Sequence, residues 1–208
     1  MTTFSLVRHG RTPWQDENRY AGVSDIALTD TGRAQARALA AWATHRPDGE
    51  AFSGVWSSTL QRAIDTATPA AEALGLTLAT DPRLGEVDFG EGEGMTRAEM
   101  DERFPDAAAA HFSHPGVIPL PGGEPGSTAI ARGSDALREI EAAHPDGHVL
   151  VVSHGTLIRL LLCALLWIDI DRYRTVFPAI TNGSVTTVRF EGHRAELLDL
   201  NVVPPAAG

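Results

Sequence analysis

The stretch His148-Val149-Leu150-Val151-Val152-Ser153 limits the architecture more than any other in the chain. Four consecutive Val and Leu residues show no polar alternation. Such a run suits a strand covered on both faces, the situation inside a parallel sheet sandwiched between helices. It ends on His154-Gly155 and passes directly into helix-like sequence, Thr156–Leu166. The first strand repeats the design: Phe4-Ser5-Leu6-Val7 stops on Arg8-His9-Gly10. In an open α/β sheet, ligands sit just beyond the carboxyl ends of the parallel strands. Two histidines and an arginine therefore fall where chemistry is expected.

The rest of the chain fits the same alternation. A polar loop over residues 11–30 contains Trp14 and Tyr20, expected as pocket walls, and a loop of that length without apolar periodicity is often functional. Arg33–Ala43 repeats Ala and Leu at helical spacing behind an N-cap at Thr29 or Thr31. Gly54–Ser58 is a second short strand ending on polar residues, and the helix Thr59–Leu74 that follows is stopped by Gly75. Leu76–Thr80 reads as a third strand. Short helices are expected over Thr96–Phe104 and Asp106–Phe112, and a longer one from Ser127 or Thr128 to about Ala143. Ser184–Phe190 and Ala195–Leu200 alternate as a C-terminal hairpin. The expected fold class is α/β: a three-layer α/β/α sandwich, a single domain over residues 1–208, with a mostly parallel sheet and an antiparallel C-terminal strand. Residues 85–127, rich in Pro and Gly, break the repeat and are expected to form a small lid insertion over the strand ends.

Composition narrows the function. The 208 residues carry a formal charge of −10, which argues against nucleic acid or an anionic membrane as partner. Any anion site must be a local pocket of cations. All 17 basic residues are Arg, so Walker-type phosphate loops and Schiff-base chemistry, both of which need Lys, are excluded. Cys163 is the one cysteine; it cannot form an intrachain disulfide, and no Cys/His spacing suggests zinc. Neither a metal nor any other cofactor is expected. No signal-peptide pattern opens the chain, and the most apolar stretch, Leu157–Ile168, contains Arg159 and is too short for a bilayer. A cytoplasmic protein is expected, a monomer or homodimer.

Three strand ends carry suggestive residues: Arg8-His9-Gly10, then Ser57-Ser58 with Arg62 one helical turn on, then Ser153-His154-Gly155. Parallel strands bring them to one edge of the sheet, beside two helix N-termini whose free N–H groups favour anions. The motifs Leu6-Val7-Arg8-His9-Gly10-Arg11-Thr12, Ser57 through Ala67, Leu84-Gly85-Glu86-Val87-Asp88-Phe89-Gly90 and Val152-Ser153-His154-Gly155 resemble the histidine phosphatase (phosphoglycerate mutase-like) superfamily, in its order and spacing. Leu28-Thr29-Asp30-Thr31-Gly32 and Pro121-Gly122-Gly123-Glu124 are also similar to stretches common in it.

The resemblance implies specific roles. His9 matches the nucleophile that becomes phosphohistidine. Arg8, Arg62 and His154 match the pocket for the phosphoryl oxygens, and Glu86 matches the proton donor to the leaving group. Groups near Thr12, Gln15 and Gly22 match a phosphate-binding loop, and Gly155 adds to the substrate site. Fixed guanidiniums suit phosphoryl transfer, which is mainly positioning and charge stabilisation. Their charge keeps His9 neutral, and its second nitrogen needs a partner such as a backbone carbonyl. A bound phosphate in turn favours the acid form of Glu86.

This chain departs from the family pattern in three places. Gln15 stands where the family usually has Asn, and Ala21 where a hydroxyl residue is frequent. Glu91-Gly92-Glu93-Gly94 lacks a Trp often found there.

Outside these positions, Glu91, Glu93, Glu99, Asp101 and Glu102 read as a solvated acidic face. His111 and His114 read as surface, and His45, His144, His148 and His193 as structural or exposed. Trp42, Trp56 and Trp167 read as core. The implied activity is that of a metal-independent phosphomonoesterase acting on a small phosphorylated metabolite. The alternative is a cofactor-dependent phosphoglycerate mutase. Those enzymes carry a basic segment after the acid residue, whereas residues 86–125 here offer only Arg97 and Arg103 against many carboxylates. That favours the phosphatase, with Arg11 as an added substrate contact.

Overall fold

The computed structural model describes residues 1–45, 51–191 and 194–206. His193 lies outside these residues. The strands are β1 (Thr2–Arg8), β2 (Gly54–Ser57), β3 (Leu78–Thr80), β4 (His148–Ser153), β5 (Val185–Glu191) and β6 (Arg194–Val202). They form one sheet in the order β3-β2-β4-β1-β5-β6. β1 through β4 pair in parallel, while β5 runs antiparallel to β1 and β6 antiparallel to β5. The sheet is thus mostly parallel with two antiparallel C-terminal strands.

Among the described residues eight α-helices accompany it: α1 (Pro13–Asp16), α2 (Asp30–Thr44), α3 (Gln61–Leu74), α4 (Arg97–Arg103), α5 (Pro105–Ser113), α6 (Gly126–Ala143), α7 (Gly155–Leu165) and α8 (Tyr173–Val176). Every residue of β4 is buried. Val149 and Val151 join one apolar core with Phe4, Leu6 and residues of α6 and α7. Leu150 and Val152 join a second core with Val7 and residues of α2 and α3. Two helical layers on opposite faces of the sheet explain why β4 has no polar alternation.

Helix starts follow local capping. The Thr29 hydroxyl accepts the Gly32 N–H, so α2 begins at Asp30, three residues before the apolar periodicity sets in. Gly75 ends α3 in the left-handed conformation, φ +67°. α8 follows from no apolar periodicity, since four residues are too few to show one.

Two expectations are overturned here. Trp167, read as core, is 89 % exposed and sits in the left-handed region at φ +57° just after α7, where the chain turns and aims the ring outward. His111, read as surface, is buried on α5. Its ring packs edge-on to Phe112, and its Nδ1 lies 2.7 Å from the Ile118 carbonyl. Among the described residues no helix is long and apolar enough to cross a membrane.

Candidate active site

Strand register builds the site. Arg8 on β1 pairs with Ser153 on β4, so the two strands end level. His9 and His154 each follow by one residue, and their rings lie 5.1 Å apart with a 55° tilt. His9 is 4 % exposed. Its Nδ1 lies 2.7 Å from the Gly10 carbonyl. A carbonyl only accepts, so Nδ1 carries the proton and donates it, leaving Nε2 with a free lone pair. Burial first, then the charges of Arg62 and Arg8, hold its pKa well below the ordinary imidazole value. His9 is therefore neutral. The Asn182 side chain donates to its carbonyl at 2.9 Å.

Arg8 donates from Nη1 to the Ile180 carbonyl at 2.5 Å, and burial lowers its pKa to about 10, so it stays cationic at neutral pH. Gly155, the first residue of α7, lies beneath this guanidinium. A Cβ there would stand 3.0 Å from Arg8 Nε and 3.3 Å from Cζ, closer than side chains ordinarily pack. The absence of a Cβ lets Arg8 reach over the helix start.

Arg62, fully buried in the first turn of α3, donates from Nη1 to the Ser24 carbonyl at 2.6 Å and from Nη2 to the Gly22 carbonyl at 2.6 Å. Both terminal nitrogens thus hold the 22–24 loop. Glu93 clamps the same loop, accepting from the N–H groups of Gly22, Val23 and Ser24 and from the Ser24 hydroxyl. Glu93 was expected on a solvated acidic face; it is partly buried in this clamp instead. The Gly22 amide is committed to Glu93, and a Cβ at Gly22 would meet Glu93 Oε1 at 2.2 Å and the Val87 carbonyl at 2.3 Å. Thr12 is buried, and Gln15 Oε1 accepts its N–H at 3.2 Å.

Glu86 is 8 % exposed and faces the start of α7. Its Oε2 accepts from Thr156 N–H and its Oε1 from Leu157 and Val87 N–H, each at 2.9 Å. Helix α7 thus fixes the carboxyl group, while its preceding residue, His154, supplies the second imidazole.

Seven buried side-chain polar atoms among the described residues have no hydrogen-bond partner. Five belong to this site: Arg8 Nε, Thr12 Oγ1, Arg62 Nε and both ring nitrogens of His154. Buried polar atoms left unpaired are costly, and their concentration beside one imidazole marks an anion receptor. Burial and the neighbouring Arg62 also hold the His154 pKa well below the ordinary value.

The site opens into a cleft of about 640 Å³ lined by Arg8, His9, Gln15, Tyr20 and Glu86, and further by Arg11, Arg19, Arg97, Arg159, Arg174 and Asn182. The structure brings Arg8, His9, Arg62, Glu86 and His154 together with Thr12 and Gln15. Trp14 is not among the lining residues; its ring lies over Gly94. Arg159, Arg174 and Asn182 were missed. A lone Arg within the most apolar helix of the chain was the available signal for Arg159. Arg174 and Asn182 had none. Among the described residues, no cluster of three or more His, Cys, Asp or Glu is arranged to hold a metal ion.

The model of the histidine phosphatase superfamily, branch 1, matches residues 4–203. The chain belongs to this superfamily. Phosphoserine phosphatase 1 of Hydrogenobacter thermophilus is 31% identical over 202 residues, 97% of this chain and 93% of that protein. Among solved structures, Bacillus stearothermophilus YhfR superposes with a TM-score of 0.88 at 28% identity, covering 98% of each chain. The mycobacterial glucosyl-3-phosphoglycerate phosphatase in complex with VO3 gives 0.85 at 31% identity, covering 96% of this chain and 98% of that one. Some mycobacterial relatives are longer: a bifunctional protein of Mycobacterium tuberculosis, 38% identical over 161 residues, is matched over 43% of its length. As a histidine phosphatase the protein is a phosphoric monoester hydrolase, and its cleft has the size for a small phosphorylated metabolite.

Proposed function

We propose that hydrolysis runs through a phosphohistidine on Nε2 of His9. The Nε2 lone pair attacks phosphorus, the bond to the alcohol oxygen breaks, and Glu86 gives that oxygen its proton. Glu86 then takes a proton from water, the water oxygen attacks phosphorus, and the P–N bond breaks. Inorganic phosphate leaves and His9 returns neutral. Arg8, Arg62 and His154 stabilise the equatorial oxygens through the whole sequence. The observation that carries this reading is the group of unpaired buried atoms on Arg8, Thr12, Arg62 and His154 beside a neutral His9. Arg62 offers its unpaired Nε, while each terminal nitrogen spends an N–H on the 22–24 loop and so fixes the guanidinium in place. Gln15 takes the place of the usual Asn, with its amide nitrogen as donor.

Residues 85–127 contribute Glu86, Phe89 and Arg97 to the cleft, which supports their role as a lid. The cleft also draws cations from outside that segment, from Arg11, Arg19, Arg159 and Arg174. The scarcity of cations within residues 86–125 is therefore no argument against mutase chemistry. The phosphatase reading rests instead on the relatives named as phosphatases.

The purified protein is expected to hydrolyse p-nitrophenyl phosphate in the presence of EDTA, and His9→Ala to be inert. Turnover that persists in His9→Ala sinks the phosphohistidine route. Phosphoryl transfer from 2,3-bisphosphoglycerate to 2-phosphoglycerate faster than hydrolysis would favour the mutase.

A further inference from the structure

The cleft has more positive charge than a phosphoryl group needs. Arg11 pairs with Asp16, and Arg19 with Glu17 and Glu99. Arg97 lies 3.6 Å from Asp101. Arg159 and Arg174 differ: among the described residues neither has a carboxylate partner.

Arg174 is held entirely by neutral groups. Its Nε donates to the Tyr173 hydroxyl at 2.8 Å and its Nη1 to the Tyr20 hydroxyl at 3.1 Å. Its Nη2 lies 3.3 Å from His111 Nε2. His111 Nδ1 faces the Ile118 carbonyl, so Nδ1 carries the proton and Nε2 accepts from Arg174. Burial and the Arg174 charge lower the His111 pKa, which keeps that acceptor neutral. Arg159 lies with its guanidinium carbon 4.9 Å from the centre of the Tyr173 ring, and its Nε donates to the Gly155 carbonyl at 2.9 Å. Among the described residues its two terminal nitrogens meet no hydrogen-bond partner. Two guanidiniums are thus fixed in place with no ion-pair partner, and Glu86, whose charge reaches Arg159, is the one carboxylate among the described residues that lines the cleft. Fixed guanidiniums without ion-pair partners in a partly desolvated cleft form an anion receptor.

We propose that Arg159 and Arg174 form a second anion subsite, and that the enzyme acts on phosphomonoesters whose alcohol carries a carboxylate. Arg159 presents the open planar fork that two carboxylate oxygens fit side by side. Arg174, already committed through all three nitrogens, adds charge and one remaining N–H on each terminal nitrogen. His111, Tyr20 and Tyr173 are positioning residues for it. The proposal rests on the phosphatase reading, and the test separates the two.

Wild-type enzyme is assayed on p-nitrophenyl phosphate, 3-phosphoglycerate, glycerol 3-phosphate and 1,3-propanediol bisphosphate. The middle pair differs only in a carboxylate against a hydroxymethyl group. If none is hydrolysed, the phosphatase reading fails. If p-nitrophenyl phosphate turns over, the carboxylate is expected to raise kcat/KM by about tenfold or more over glycerol 3-phosphate, the value of a charge-assisted contact. That ratio is expected to fall toward one in Arg159→Gln and, to a smaller extent, in Arg174→Gln. A wild-type ratio near one overturns the subsite and needs no variant to fold. A high ratio that survives in a folded Arg159→Gln also overturns it. A bisphosphate preferred over 3-phosphoglycerate overturns the carboxylate assignment.

Discussion

The inner cradle and the outer wall of the cleft use arginine in opposite ways. In the cradle, Arg8 and Arg62 reach out from a strand end and a first helical turn, are held by backbone carbonyls, and keep Nε unpaired beside two buried imidazoles. In the wall, Arg159 and Arg174 lie on helices and, apart from one bond from Arg159 to the Gly155 carbonyl within its own helix, are steadied by side chains: tyrosine rings, hydroxyls and a neutral histidine. Backbone anchoring fixes the cradle with the sheet itself. Side-chain anchoring leaves the wall free to differ without disturbing the chemistry. On the proposed reading this is a division of labour: the cradle handles what all phosphomonoesters share, and the wall handles what distinguishes them.

Glu86→Gln puts the largest strain on that division. Gln keeps one oxygen, enough for the N–H groups of Val87 and Leu157, but sets its NH2 group against the Thr156 N–H and cannot give or take the proton. Hydrolysis of alkyl phosphates is expected to fall by about 10²–10⁴-fold. p-Nitrophenyl phosphate, whose leaving group needs little protonation, is expected to lose much less. Steady-state rates on both substrates check this. Equal losses would mean that Glu86 acts only as a positioning residue, and the cradle would lack its acid.

The contrast also explains what the sequence revealed. β4 declared itself because all its residues are buried and its apolar run is unbroken. The cradle was legible because parallel strands of fixed register deliver their terminal residues to one place; Arg8 opposite Ser153 follows directly from two apolar runs. The wall was not legible. Arg174 lies on a four-residue helix, too short for periodicity, and meets Tyr20 across 154 residues of chain. His111 was misjudged because its burial depends on the Ile118 carbonyl and the Phe112 ring, which no pattern around it signals. Trp167 was misjudged the opposite way: an aromatic beside an apolar helix reads as core, yet a left-handed backbone turns it to solvent. The clamp from Glu93 to the 22–24 loop joins acceptor and donors 69 to 71 residues apart.

Gly155→Ala sharpens the comparison with a smaller effect. Position 155 is the first residue of α7, where Ala is no worse for the helix than Gly. The added methyl would stand 3.0 Å from Arg8 Nε, so the guanidinium must give by a few tenths of an ångström. A shift of that size in a charge-stabilising group is expected to lower kcat/KM about tenfold while thermal stability holds or rises. Kinetics with a melting curve on the same sample check both halves. Unchanged kinetics would show that the cradle tolerates displacement of Arg8, and backbone anchoring would lose its significance.

The smallest effect concerns proton balance, and it too divides inner from outer. His9 and His154 are held neutral in the folded chain by burial first and then by the charges of Arg62 and Arg8, with pKa values well below 6.5. In the unfolded chain both titrate near the ordinary value. Below 6.5 the unfolded state therefore binds protons that the folded state refuses, and stability falls as the pH falls. Above 6.5 both states are neutral and the contribution is flat. Each histidine adds up to about 1.4 kcal/mol per pH unit to the slope once the pH is well below 6.5. His111, shifted in the same direction by burial, adds to the slope from the outer wall. Urea unfolding from about pH 5 to about pH 8 measures the total, and the variants His154→Asn and His111→Asn apportion it between cradle and wall. A steeper loss of slope in His154→Asn than in His111→Asn is expected. The reverse order would assign the larger share to the wall; a stability that rises as the pH drops below 6.5 would mean that the cradle imidazoles are charged in the free enzyme, and His9 would then have no lone pair to offer phosphorus.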